Sequence, residues 1–222
     1  PVTDNSKQHL ILGGGEKFLH PNVDPSLLSG IMLNPMQQSE PSKIALFSEA
    51  QYAWKQWKSE EEAKKVNDIA FNFVENGKFT DSEASIAFRE LGKHMINQNM
   101  DGRVVKLEES VELAPKLATF MSKLKAGQDV SAEREGLRAE FAKLKAAAQL
   151  YKASGDEKMR AQIHYWLDNT IDQMDALSAL LDGTEAIATN DSAKLWDSYY
   201  KGLKLYEQSQ THTFHYVDHD EK

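Results

Sequence analysis

The chain contains no cysteine. That excludes a disulfide framework, a thiolate nucleophile and any Cys-ligated zinc or iron–sulfur site, and leaves the redox compartment open. A long apolar run is also missing: no stretch approaches the roughly 20 consecutive apolar residues that span a bilayer, and the N-terminus lacks a basic patch followed by an apolar signal core. Basic excess is absent as well, since 26 Lys+Arg face 34 Asp+Glu for a formal net charge of -8. A sequence-independent phosphate-binding surface therefore has no electrostatic basis, and nucleic acid is not an expected partner. Residue 1 is Pro rather than Met, which suggests a chain cut from something longer.

What is present is a folded-protein composition, 41% hydrophobic and 27% charged over 222 residues. Up to about Trp57 the texture is loop, short apolar run, loop, short apolar run, helix. His9 to Leu12, ending at Gly13-Gly14-Gly15, and Gly30 to Leu33, running into Asn34-Pro35, are two strand candidates of the buried parallel kind. Pro41 suits the first turn of a following helix, whose stripe is Ile44, Phe47, Ala50 and Trp54, with Tyr52 and Trp57 flanking it. Strand, loop, helix is one unit of an α/β fold.

From Ser59 the pattern becomes long amphipathic helices with clear stops. Ser59 and Glu62 make a capping box for a helix presenting Val66, Ile69, Ala70, Phe73 and Val74, ended by Asn76-Gly77. Thr80 or Asp81 caps the next, with Ala84, Ala87, Phe88, Leu91 and Met95 as its apolar face. A helix over Val111 to Lys125 contains Pro115, which argues for a start near that residue or a kink. Ser131 opens another with Leu137, Phe141, Leu144, Ala148 and Tyr151; a further one runs from about Asp156 to Leu181, stopped by Gly183; the last covers about Asp191 to Tyr206. Short connections between such helices predict an antiparallel bundle.

Several residue groups invite a chemical reading. His212, His215 and His219 with Asp218 and Asp220 look like a metal cluster, but strand alternation would point His212 away from the other two, so they are expected to be structural or adventitious and no metal site is assigned. Asp168, Asp172 and Asp175 share a helix side without the Glu-x-x-His spacing of a di-iron bundle and are read as a solvated acidic face. Gly13-Gly14-Gly15 lacks the Lys-Ser/Thr of a phosphate loop. No cofactor is implied. Asp4 and Asn34 each sit where the chain leaves or ends a strand candidate, the place where barrel enzymes put substrate contacts; by pattern alone, loop polarity and a cap for the helix at Pro35 explain them better.

The run Leu33-Asn34-Pro35-Met36-Gln37-Gln38-Ser39-Glu40-Pro41-Ser42-Lys43-Ile44-Ala45-Leu46-Phe47, preceded by Gly30-Ile31-Met32 and followed by Ala50, Tyr52 and Trp54, resembles the end of the catalytic barrel of family-84 glycoside hydrolases, the β-N-acetylglucosaminidases that include O-GlcNAcases and bacterial hyaluronidase-like proteins. Pro1-Val2-Thr3-Asp4 and Leu10-Ile11-Leu12-Gly13 resemble that family's preceding substrate loop and strand. The resemblance implies a mainly α chain: residues 1–58 the terminal strand-helix unit of a (β/α)8 barrel, 59–208 an antiparallel helical bundle domain, and 209–222 the start of a truncated segment. It also implies that Asp4 and Asn34 bind hydroxyls of the sugar, and that removal of terminal β-linked N-acetylglucosamine proceeds by substrate-assisted catalysis. The family's adjacent catalytic aspartates have no counterpart, because no Asp-Asp pair exists here. Asn5 stands where the family often has Tyr, and Pro41 replaces a small residue.

The implied partners are an N-acetylglucosamine-bearing glycan or glycoprotein and the remainder of the barrel, at a secreted or bacterial cell-surface location; the alternative is a non-catalytic bundle serving as a protein-interaction or substrate-docking module. Without neighbouring strands, the runs Leu10 to Leu12 and Ile31 to Leu33 would leave unpaired backbone groups and exposed apolar faces. The chain is therefore expected to be one piece of a nicked molecule.

Overall fold

The computed structural model describes residues 10–13, 21–35, 37–96 and 109–213. A short 3-10 turn, Pro25–Leu27, is capped by Asp24, whose side chain accepts from the Ser26 N–H at 2.9 Å. Seven α-helices follow among the described residues: α1 Ser39–Trp54, α2 Glu60–Asn76, α3 Glu83–Gly92, α4 Ala114–Lys125, α5 Ser131–Ser154, α6 Glu157–Ala188 and α7 Ser192–Ser209. The mainly α expectation holds, and no strand occurs among the described residues. The backbone divides into two compact units, Pro1–Pro115 with Ala147–Ile163, and Lys116–Ala146 with His164–Lys222.

In the first unit, the two strand candidates need correcting. Leu10 and Leu12 are buried, but the N–H groups of Leu12 and Gly13 donate to the Met95 carbonyl, at 2.8 and 3.1 Å, just beyond α3. The chain thus satisfies these donors against a helix end rather than a neighbouring strand. Gly13 is required there, since a Cβ would lie 2.4 Å from the Gly92 carbonyl oxygen. The second run, Gly30 to Leu33, forms no regular structure, and Ile31 and Met32 are exposed.

Helix faces also differ in detail from the expected stripes. In α1 the inward residues are Ile44, Ser48 and Tyr52, while Trp54 is 92% exposed; Tyr52 and Trp57, expected to flank the core, are its centre, with rings 4.7 Å apart. In α2, Phe71 is buried and Phe73 is exposed, stacked on Phe79. Phe71 meets Phe88 edge-on at 5.3 Å, and Phe88 stacks on Tyr151 at 4.4 Å, so one aromatic series joins α2, α3 and α5. The caps shift by a residue or two. Ser59 accepts from the Glu62 N–H as expected, but Glu62 returns to the Lys58 N–H. Ser82, not Thr80 or Asp81, closes a capping box with Ser85, leaving Asp81 to accept from Asn72 and Arg89, which hold its carboxyl below the ordinary range, Arg89 more than Asn72. Gly77 ends α2 in the left-handed region, where glycine pays no Cβ penalty.

The second unit is an antiparallel arrangement whose register can be read from side-chain pairs. Arg138 meets Asp182 at 2.8 Å and Lys145 meets Asp175 at 2.7 Å, so α5 advances seven residues as α6 retreats seven. Between α6 and α7, Glu185 pairs with Lys194, and Asn169 donates to the Ser209 carbonyl. Gly183 does not stop α6; it lies within the helix, with Ser198 and Leu195 of α7 beside it. Tertiary packing overrides its weak helix propensity. Pro115 lies in the first turn of α4, as expected of a proline near a helix start.

Glu75 of α2 is the polar centre of the first unit. Its carboxylate accepts from the Tyr151 hydroxyl at 2.6 Å and the Asp156 N–H at 2.8 Å. Burial pushes the Glu75 carboxyl above its usual 4.5, against those two bonds, and burial together with Glu75 pushes the Tyr151 phenol up. A raised folded pKa means that stability is fullest below the unfolded value and falls as pH rises through the folded value. Thermal unfolding between about pH 4 and 7 should therefore show a decline in wild-type stability that Glu75→Gln flattens; equal pH profiles would contradict the assignment.

Candidate functional site

Asn34 lies in the irregular segment immediately before α1 and is exposed, five residues ahead of the first helical residue, Ser39. Asp4 lies outside the described residues. The position of Asn34 is set by how α1 begins. Gln38 occupies the cap position but makes no side-chain cap bond; its carbonyl accepts from the Ser42 hydroxyl at 2.7 Å and the Ser42 N–H at 3.3 Å. The missing cap comes from elsewhere in the chain. Gln162 of α6 accepts the Glu40 N–H at 2.9 Å through its amide oxygen and donates from its amide nitrogen to the Ser39 hydroxyl at 3.1 Å. One amide thus ties two successive groups at the start of α1, 122 and 123 residues away in sequence. Lys43 and Glu40 form an ion pair within the same turn.

Two features around this segment stand out. The Gln38 amide is buried with neither its oxygen nor its nitrogen hydrogen-bonded, an arrangement that costs about 1–3 kcal/mol per group. Upstream, Leu27, Leu28, Ile31 and Met32 are all exposed, Met32 at 97%. The arrangement offers an exposed carboxamide on a segment whose downstream end is fixed, which suits recognition of hydroxyls; it offers no acid–base pair.

The other sequence candidates separate. His212 pairs with Asp172 at 2.8 Å, joining the residues after α7 to α6, which agrees with a structural histidine. His215, His219, Asp218 and Asp220 lie outside the described residues. Among the described residues no group of three His, Asp or Glu could hold a metal ion. Asp172 and Asp175 are not a purely solvated face, since each has a cationic or imidazole partner. His94 is half-buried, and the desolvation pushes its imidazole below 6.5, with Nδ1 2.7 Å from the Ser110 hydroxyl. Sequence reasoning missed Gln162, because a lone glutamine on a helix face carries no local motif. Only the absent Ser, Thr, Asp or Asn at the α1 cap signalled that a distant group must serve there.

Two family models match the chain in succession. Residues 1–92 match β-N-acetylglucosaminidase and residues 112–213 match a hyaluronidase post-catalytic domain-like model. The structure of CpGH84D is similar with a TM-score of 0.83 and 26% identity, over 96% of this chain and 34% of that one. The structure of CpGH84B shares the fold, with a TM-score of 0.76 and 23% identity, over 95% of this chain and 35% of that one. The chain spans about a third of the length of each.

Gln162→Leu keeps the volume and removes both bonds to the start of α1. It should lower stability by about 1–2 kcal/mol and accelerate hydrogen exchange at the Glu40 amide; unchanged exchange at Glu40 would show that Gln162 does not cap this helix.

Proposed function

We propose, from a chain whose sequence and fold resemble those of the family-84 glycoside hydrolases along both of its matched parts, that it forms part of an enzyme removing terminal β-linked N-acetylglucosamine. The observation that carries the reading is the β-N-acetylglucosaminidase match over residues 1–92, which contains Asp4, Asn34 and the capped start of α1. In this reading Asp4 and Asn34 position the sugar. A carboxylate accepting from sugar hydroxyls makes the stronger, charge-assisted kind of hydrogen bond, and a carboxamide both donates and accepts, so the two together fix the orientation of a pyranose ring. The reaction is substrate-assisted: the 2-acetamido oxygen of the substrate attacks the anomeric carbon, one aspartate orients the amide, and its neighbour protonates the leaving oxygen and then activates water. This chain has no Asp-Asp pair to perform those steps, so its own residues bind and position.

The exposed Leu27, Leu28, Ile31 and Met32 fit the same reading, as the apolar face that the remainder of a barrel would cover. The location we assign is extracellular or at the bacterial cell surface, and the glycan is carried by a glycoprotein or polysaccharide. The helical part supplies no chemistry in this account. Its second possible role, as a docking module, is favoured by the outward aromatic face of α7.

In the longer enzyme, Asn34→Ala should reduce kcat/KM for a chromogenic β-N-acetylglucosaminide by about 10-fold or more, the size of one lost hydrogen bond in a transition state. Asp4→Ala should cost more, because the lost bonds are charge-assisted. Unchanged kinetics in both variants would remove these residues from the sugar site.

A further inference from the structure

After Gly13, no described residue is buried until Gln38. The stretch 29–35, which carries Asn34, makes no main-chain hydrogen bond among the described residues. Gln38 is therefore where this open stretch joins the body of the first unit, four residues after Asn34. Its main chain is fixed, because its carbonyl accepts from both the hydroxyl and the N–H of Ser42. Its side chain is not held in this way: at 4% exposure, neither amide atom has a partner.

The other buried polar groups with an unfilled atom are less isolated. Asn72 lacks a partner at Oδ1 but donates through its nitrogen to the Phe79 carbonyl and to Asp81. Arg134 lacks one at Nε but donates through Nη2 to the Ser131 hydroxyl, and Gln51 lacks one at its oxygen alone. Gln38 leaves a donor and an acceptor unfilled together, where water does not reach either. Folded proteins pair such groups almost without exception, since an unmade bond keeps the full cost of desolvation.

The two ends of the amide define what would pair with it. A carboxamide needs an acceptor and a donor side by side. A carboxylate or an ammonium fills one end, leaves the other bare and brings a charge into a dry site. A sugar hydroxyl has suitable chemistry but needs an open approach, which the exposed Asn34 has and Gln38 lacks. An extended polypeptide supplies both groups, since each residue other than proline carries one C=O and one N–H. Stretch 29–35, with its own main-chain groups unpaired, is the place for such a segment to lie. The last torsion of a glutamine side chain is broad, so the amide can turn toward it while the Gln38 main chain stays on Ser42.

We infer that Gln38 is a positioning residue of the longer enzyme: its carboxamide pairs with the main chain of a segment packed beside residues 29–35, and that bond fixes Asn34. The inference rests on the reading that this chain completes a longer glycosidase.

The test is the sign of one substitution in two settings. Gln38→Met keeps an unbranched side chain of similar size and removes both polar atoms. In the 222-residue chain it should raise the melting temperature by about 2–4 °C, because two unfilled groups are lost. In the longer enzyme it should lower the melting temperature and reduce kcat/KM for a chromogenic β-N-acetylglucosaminide by about 10-fold. In an Asn34→Ala background the same substitution should change kcat/KM by less than about twofold, since a residue acting through Asn34 has nothing left to position. A fall or no change in the melting temperature of the chain alone overturns the inference, because the amide would then be satisfied within it. A rise in the longer enzyme also overturns it, and an equal kinetic loss with and without Asn34 overturns the positioning role. The melting temperatures do not depend on turnover, so they read the Gln38 contact even where the assigned sugar chemistry fails.

Discussion

The half-buried Glu75 carboxylate is the interaction on which the first unit depends. It holds the Tyr151 hydroxyl at the end of α5 and the Asp156 N–H at the start of α6, so three chain segments converge on one group. Removing a carboxylate from water is unfavourable, as the raised Glu75 pKa shows, and the two short bonds offset that cost only while α2, α5 and α6 keep their places. Arg160 reinforces the junction by donating to the carbonyls of Gly155 and Lys152. Once the start of α6 is set, Gln162 lies where it can cap α1. The segment carrying Asn34 is thereby placed by a series of polar contacts that begins more than forty residues after it in sequence and returns from α6.

Under the proposed function, that dependence gives the helical part a positioning role for Asn34 without giving it chemistry. A sugar contact on an irregular segment is only as well positioned as the element following it, and α1 cannot cap its own start with Gln38. Capping from α6 uses a residue beyond the stretch that matches the β-N-acetylglucosaminidase model. The second unit follows a simpler rule: ion pairs spaced by seven residues fix the α5–α6 register, and small residues bring α7 close to α6. Leu195 and Leu205 of α7 are half-buried, while Trp196, Tyr199, Tyr200 and Tyr206 are exposed.

Much of this fold was legible in the sequence because helices announce themselves locally. Gly77 and Gly127 fall at helix ends with the left-handed backbone their position requires, and Leu137, Phe141, Leu144, Ala148 and Tyr151 are buried as their spacing implies. Periodicity misplaced the face of α1 and the choice between Phe71 and Phe73, since two apolar residues on nearby faces are distinguished only by what packs against them. The strand readings failed for a related reason. Leu10 to Leu12 has strand-like composition, but pairing requires a neighbour, and the Met95 carbonyl took the available N–H groups. At the candidate site Asn34 is proposed from its motif, whereas Gln162 carries no motif, because its capping contact exists only after the chain has folded.

The most direct measurement is turnover of a chromogenic β-N-acetylglucosaminide by this chain alone and after addition of a polypeptide carrying the family's adjacent catalytic aspartates. The account predicts no hydrolysis by the chain alone and hydrolysis when the two are combined. Turnover by the isolated chain would contradict it, since the acid and base would then lie among these 222 residues.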